Sequence, residues 1–135
     1  MTTPHTDTAL SLLLMEDDQV ARLSISSVIA RKYPGITVFT ADNGKVGVEI
    51  FREHAPDVVV TDINMPVMDG IEAAGEIKAI REDTRFIVLT GYSDEYSRER
   101  FSEIGCVDYI IKPIDFDRLF GAIERCRAEI GLRRG

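Results

Sequence analysis

The sequence predicts an α/β fold: a doubly wound, five-stranded parallel sheet with five helices covering both faces. Three observations predict it. Five short apolar runs recur along the 135 residues. Amphipathic stretches of helical length separate them. Most of the runs are continuous rather than alternating, so both faces need cover, as in parallel strands under helices. Right-handed crossovers between such strands then place helices on either side of the sheet.

The elements follow in order. Residues 1–9 are polar and read as a disordered leader. The first strand is Leu10–Met15. The first helix, Gln19–Tyr33, sets Val20, Leu23, Ile25, Val28 and Ile29 along one side and stops at Pro34-Gly35. Ile36–Thr40 alternates partly, as an edge strand does. The second helix runs from about Lys45 to His54, after Asp42-Asn43-Gly44 and before Pro56, and pairs Val46 with Ile50. The third strand is Asp57–Thr61. The third helix begins after Asp69-Gly70 and carries Ala73, Ile77 and Ile80. The fourth strand is Arg85–Thr90. The fourth helix, Asp94–Ile104, is mostly charged, with Ser93 as its N-cap and Tyr96, Phe101 and Ile104 as its apolar contacts. The last strand is Val107–Ile111. The last helix, from about Phe116 to Ile130, spaces Leu119, Ala122, Ile123, Cys126 and Ile130 along one face. One domain over residues 10–131 results, with 132–135 as a short tail.

Composition narrows the function. Apolar residues make up 44% and charged residues 29%, and the net charge is −7. An acidic surface repels phosphate backbones, so direct nucleic-acid binding is not expected. No apolar run approaches the ~20 residues a bilayer span needs, and no apolar signal segment opens the chain; a cytoplasmic location away from membranes follows. Cys106 and Cys126 form no CxxC pattern and read as buried or idle thiols. His5 and His54 do not make a metal site.

Ligands in such sheets bind beyond the carboxyl ends of the strands. Glu16, Asp17 and Asp18 follow the first strand, Asp62 the third, Thr90 ends the fourth, and the fifth runs into Lys112-Pro113. Carboxylates gathered at one edge repel one another unless a cation intervenes, and magnesium, an octahedral oxygen-seeking ion, suits one or two carboxylates and a phosphate oxygen. Glu16 and Asp17 are read as metal residues. Asp18 fits a helix cap and a metal role equally well. A carboxylate held against a metal can attack phosphorus and become an acyl phosphate, a step that rests on positioning and charge neutralisation. Asp62 fits that role; Thr90 supplies a hydroxyl and Lys112 a cation for the phosphoryl oxygens.

Together, the acidic residues after strand 1, Asp62 within DINMPVMDG, Thr90 after FIVL, and the DYIIKP segment resemble the receiver domain of bacterial response regulators over about residues 10–130. The resemblance implies strand order 2-1-3-4-5. It implies that Asp62 is the phosphoacceptor, charged by a sensor histidine kinase or a histidine phosphotransfer protein. It implies that Asp17, Asp62 and the backbone carbonyl of Asn64 bind Mg2+, for which Mn2+ could substitute, with Glu16 acting through water. Arg22 falls at the usual place in helix 1 on that register. Thr90 and Lys112 contact the phosphoryl group, and Tyr109 is the switch aromatic, coupled to Thr90. Asn64 and Tyr92 modulate dephosphorylation, with Tyr92 expected to shield the acyl phosphate. The Lys112-Pro113 bond is expected to be cis. The surface formed by helix 4, strand 5 and helix 5 is expected to meet a downstream protein or a covalently linked domain, and its charged helix 4 departs from the more alanine-rich pattern of many receivers. No enzyme turnover is expected beyond self-phosphorylation from a donor and self-dephosphorylation.

Rival readings are a flavin-binding protein, a phosphohydrolase with an aspartyl nucleophile, and a receiver-like adaptor that is never phosphorylated. The first wants hydroxyl and glycine donors where Glu16-Asp17-Asp18 stands. The second wants an acid where Asn64 stands. The third usually lacks one of the key residues.

Overall fold

The computed structural model describes residues 10–91 and 94–134. The elements alternate: β1 (Ser11–Met15), α1 (Gln19–Lys32), β2 (Thr37–Ala41), α2 (Gly44–His54), β3 (Val58–Thr61), α3 (Gly70–Ile80), β4 (Arg85–Thr90), α4 (Glu95–Ile104), β5 (Cys106–Ile111) and α5 (Phe116–Arg134). All strands are parallel, in the order β2-β1-β3-β4-β5. Met15 pairs with Thr61 and Thr61 with Val88. The residues that follow β1 and β3 therefore leave the sheet at one level, with Thr90 and Lys112 at the same edge.

The sheet divides the core into two apolar layers. On one face Leu12, Leu14, Val58, Val60, Ile87 and Ile110 pack with Ile25 and Ile29 of α1 and Leu119, Ile123 and Cys126 of α5. On the other, Leu13, Met15, Val59, Phe86 and Val88 meet Phe51 of α2, Ile77 of α3 and Phe101 of α4. Alternate residues of each central strand thus feed opposite layers, which is why these runs are continuously apolar. Below the sheet, buried Asp57 accepts from the backbone N–H of Ser11 at 3.0 Å and fastens the start of β3 to β1.

Helix starts are fixed by short polar side chains. Asp18 accepts from the Ala21 N–H at 2.8 Å, Asn43 from Val46 at 2.9 Å and Asp94 from Ser97 at 2.7 Å. Asp69 and Glu72 form a capping box on α3. Asp94 therefore caps α4, one residue later than expected; Ser93, like the leader 1–9, lies outside the described residues.

Three expectations are corrected. In α1, Val20 and Leu23 are 76% and 57% exposed. At about 100° per residue they stand well over a quarter turn from Ile25 and Ile29, which make the contact. In α4, Tyr96 is exposed and the small Ser97 is buried with Phe101, because those two, four residues apart, share the inward face while Tyr96 stands far round the helix from Phe101. Finally, α5 continues to Arg134, so residues 132–134 are helix rather than tail. Cys126 is buried, which pushes its thiol up to about 12, while Cys106 is half-buried. Among the described residues no helix is long and apolar enough to cross a membrane.

Candidate functional site

The β1–α1 turn holds the three acids, and each has a different environment. Glu16 is turned inward, its side chain 3% exposed. One oxygen accepts from Lys112 Nζ at 2.8 Å and the other from the Asp18 N–H at 3.1 Å. Asp17 is exposed, and Asp18 caps α1 through one carboxylate oxygen. Arg22, one turn into α1, donates to the Glu16 carbonyl at 2.9 Å and to that of Asp17 at 3.4 Å, which fixes the turn's backbone.

Asp62 follows β3 at the same level. Its N–H donates to the Met15 carbonyl at 3.0 Å. Its carboxylate accepts from the Ile63 N–H at 2.6 Å and from Lys112 Nζ at 3.2 Å. Carboxylate oxygens of Glu16, Asp17 and Asp62 all lie within 4.8 Å of one another. Such a hard-oxygen donor set, part buried and part open, fits a divalent cation with water in its remaining positions. Lys112 extends from the end of β5 into this cluster, and the Lys112-Pro113 peptide is cis. Burial works against the ammonium, but the hydrogen bond to Glu16 and the charges of Asp62 and Glu16 outweigh it and hold the Lys112 pKa above its ordinary value. Thr90 is fully buried at the end of β4, and its carbonyl accepts from the Lys112 N–H at 2.8 Å.

Asn64 is exposed two residues beyond Asp62, in the loop leading to α3. That loop is tightly wound. The Met68 N–H donates to the Pro66 carbonyl at 2.7 Å, and Val67 between them has φ 69°. This is a γ-turn of the rare left-handed kind, strained for a β-branched residue. Val67 is 78% exposed, so little packing depends on its side chain. Val67→Gly is expected to stabilise the protein by about 0.5–1 kcal/mol by relieving the left-handed strain. A urea midpoint equal to or below that of the native chain would contradict this.

The structure therefore brings Glu16, Asp17, Asp62 and Lys112 together, with Thr90 beside Lys112 through the backbone. Tyr109 is elsewhere: its ring is buried under α4, edge-on to Phe101 at 6.4 Å between centroids. Tyr92 lies outside the described residues. Sequence reasoning missed the bidentate ion pair between Asp108 and Arg118, at 2.8 and 2.7 Å. It also missed the guanidinium of Arg98 over the Tyr109 ring. Both partners in each case lie on different elements, and no local spacing announces them.

A doubly wound sheet in this order, with an acid cluster and a lysine at its carboxyl edge, is the architecture of the signalling receivers of two-component systems. The chain belongs to the response regulator receiver domain family, whose model matches residues 12–124. It is 35% identical over 115 residues to the chemotaxis protein CheY of Bacillus subtilis, covering 84% of this chain and 94% of that one. It is 34% identical over 121 residues to the probable C4-dicarboxylate response regulator DctR of Priestia megaterium, covering 89% of this chain and 53% of that protein. The chain thus spans about half the length of that relative, and 26% and 24% of two longer matching regulators. Among solved structures, the N-terminal domain of an uncharacterized protein from Wolinella succinogenes superposes with a TM-score of 0.85 at 35% identity, covering 93% of this chain and 99% of that one.

Proposed function

We propose that this receiver domain takes a phosphoryl group on Asp62 from a phosphohistidine of a sensor histidine kinase or a histidine phosphotransfer protein. The carrying observation is the convergence of Glu16, Asp17 and Asp62 within 4.8 Å, with Lys112 bridging Glu16 and Asp62. An Asp62 carboxylate oxygen attacks phosphorus, the phosphorus–nitrogen bond of the donor breaks, and the imidazole leaves. Receiver domains hold Mg2+ at an acidic pocket; here Asp17, Asp62 and the Asn64 carbonyl would bind the ion directly and Glu16 through water, with Mn2+ able to substitute. The bound ion supplies charge neutralisation for the transferring group. Lys112 offers its ammonium and Thr90 its hydroxyl to the phosphoryl oxygens. Hydrolysis by water then returns Asp62 to its carboxylate, at a rate set in part by Asn64 and Tyr92.

Engagement of Thr90 by the phosphoryl group biases Tyr109 between two ring positions. That changes the α4–β5–α5 surface read by a downstream protein or a linked domain. The charge of −7 disfavours direct nucleic-acid contact by this domain itself.

Incubation with acetyl phosphate and Mg2+, followed by intact mass, tests the chemistry. The expected result is one added phosphoryl group, absent with chelator and absent in Asp62→Asn. Phosphorylation that survives Asp62→Asn would refute the assignment.

A further inference from the structure

The ring of Tyr109 is gripped from outside as well as from the core. The guanidinium carbon of Arg98, on the exposed side of α4, lies 4.5 Å from the ring centroid. Phe101, on the same helix, meets the ring edge-on from within. Beside this contact a groove of about 370 Å³ is lined by Arg98, Ser102, Gly105, Cys106 and Tyr109. The backbone under the ring is also held. The Tyr109 N–H donates to Asp108 at 2.9 Å, and Arg118 donates to the Tyr109 carbonyl at 3.2 Å while forming its ion pair with Asp108. The main chain of Tyr109 is thereby fixed to α5.

We infer that Arg98 is a positioning residue that holds the Tyr109 ring in its buried position through a cation–π contact, and so sets the balance of the switch from α4. The inference rests on the reading of Tyr109 as the switch aromatic. A cation stabilises the face of an aromatic ring it covers, and swinging the ring out toward the groove breaks that contact. For a solvent-accessible cation the hold corresponds to about a two- to fivefold bias in ring position. The bias acts through α4 and the Tyr109 ring, which packs under that helix rather than among Glu16, Asp17 and Asp62. It should therefore tune how strongly the surface responds while leaving the phosphoryl chemistry at Asp62 in place.

Arg98→Met keeps the length of the stem and removes the charge; Arg98→Lys keeps a charge with weaker stacking. The Tyr109 ring signals, assigned in aromatic proton–carbon NMR spectra by their loss in Tyr109→Phe, report ring position in the full chain. The expected outcome is a shift of the Tyr109 population outward by about two- to fivefold in Arg98→Met, with at least partial restoration in Arg98→Lys. Unchanged Tyr109 signals in Arg98→Met would overturn the inference. So would an Arg98→Lys variant as displaced as Arg98→Met, since a charge would then not be the holding element. Mass gain from acetyl phosphate, measured on the same samples, is expected to persist and to differ from the native chain by no more than that same factor, since the two equilibria are linked. A native chain that takes up no phosphoryl group would refute the phosphoacceptor reading, while the ring signals still decide the role of Arg98.

Discussion

Lys112→Met is expected to lower stability by about 2–3 kcal/mol at neutral pH, because it leaves two carboxylates facing each other with their shared cation gone. Glu16 is almost wholly buried and Asp62 is 13% exposed, so water cannot fully replace the ammonium. The Lys112 side chain is itself 26% exposed, which keeps the figure below that of a fully buried pair. The pH dependence has a definite sign. The folded-state pKa of Lys112 lies above its ordinary 10.5, so its contribution is complete below that pH and is lost as pH rises through the folded value. Native and variant chains should therefore differ across the neutral range and converge in strong alkali. Added Mg2+ should restore part of the variant's loss, since a divalent cation among the three acids replaces the missing charge. Urea unfolding at neutral and strongly alkaline pH, with and without Mg2+, checks both points; equal neutral midpoints for native and variant would refute the first.

Gly70→Ala is expected to cost about 3 kcal/mol and to slow phosphoryl uptake, against the usual gain from replacing a helical glycine. A Cβ at Gly70 would press on the Asp62 carbonyl oxygen and lie 3.1 Å from both the Asp62 carbonyl carbon and the Ile63 Cα. These are backbone atoms, and they can give way only by moving Asp62, the proposed acceptor. The Gly70 N–H also donates to the Ile63 carbonyl at 2.7 Å, so the start of α3 is fastened to the residue after Asp62. Gly75 on the same helix has open space where its Cβ would go. Gly75→Ala is the control, with an expected gain of about 0.5–1 kcal/mol. Comparable urea midpoints for the two variants would show that the close approach at Gly70 is not restrictive.

Much of the architecture was legible because of how the sheet is buried. Leu12, Leu13 and Leu14, or Val58, Val59 and Val60, feed both layers, and only a strand covered on both faces needs such runs. Strand bounds came within a residue of those observed for that reason. The helices were harder. In α1 five apolar residues suggested a broad buried side, but a helix on a twisted sheet touches it along a narrow line, and Ile25 and Ile29 suffice. In α4 a serine took the buried place expected of Tyr96, because it is Ser97, not Tyr96, that lies one turn before Phe101 on the inward face.

The site divided along similar lines. Glu16, Asp17, Asp62, Thr90 and Lys112 were legible as candidates because strand ends mark the ligand edge of a parallel sheet. Which of three consecutive acids turns inward was not legible. That depends on the sharp turn after Met15, where the Asp18 N–H reaches back to Glu16 and the Asp18 carboxylate reaches forward to Ala21. Nor was the Arg98–Tyr109 contact legible, since it joins α4 to β5 across the whole α4–β5 turn.

The partition of the core by the sheet has a consequence for communication within the molecule. Tyr109 belongs to the layer shared by α2, α3 and α4, whereas its neighbour Ile110 belongs to the layer under α1 and α5. Any movement of that ring would repack the layer of α2, α3 and α4 directly, whereas α5, in the other layer, would sense it only across the sheet and through the bond from Arg118 to the Tyr109 carbonyl.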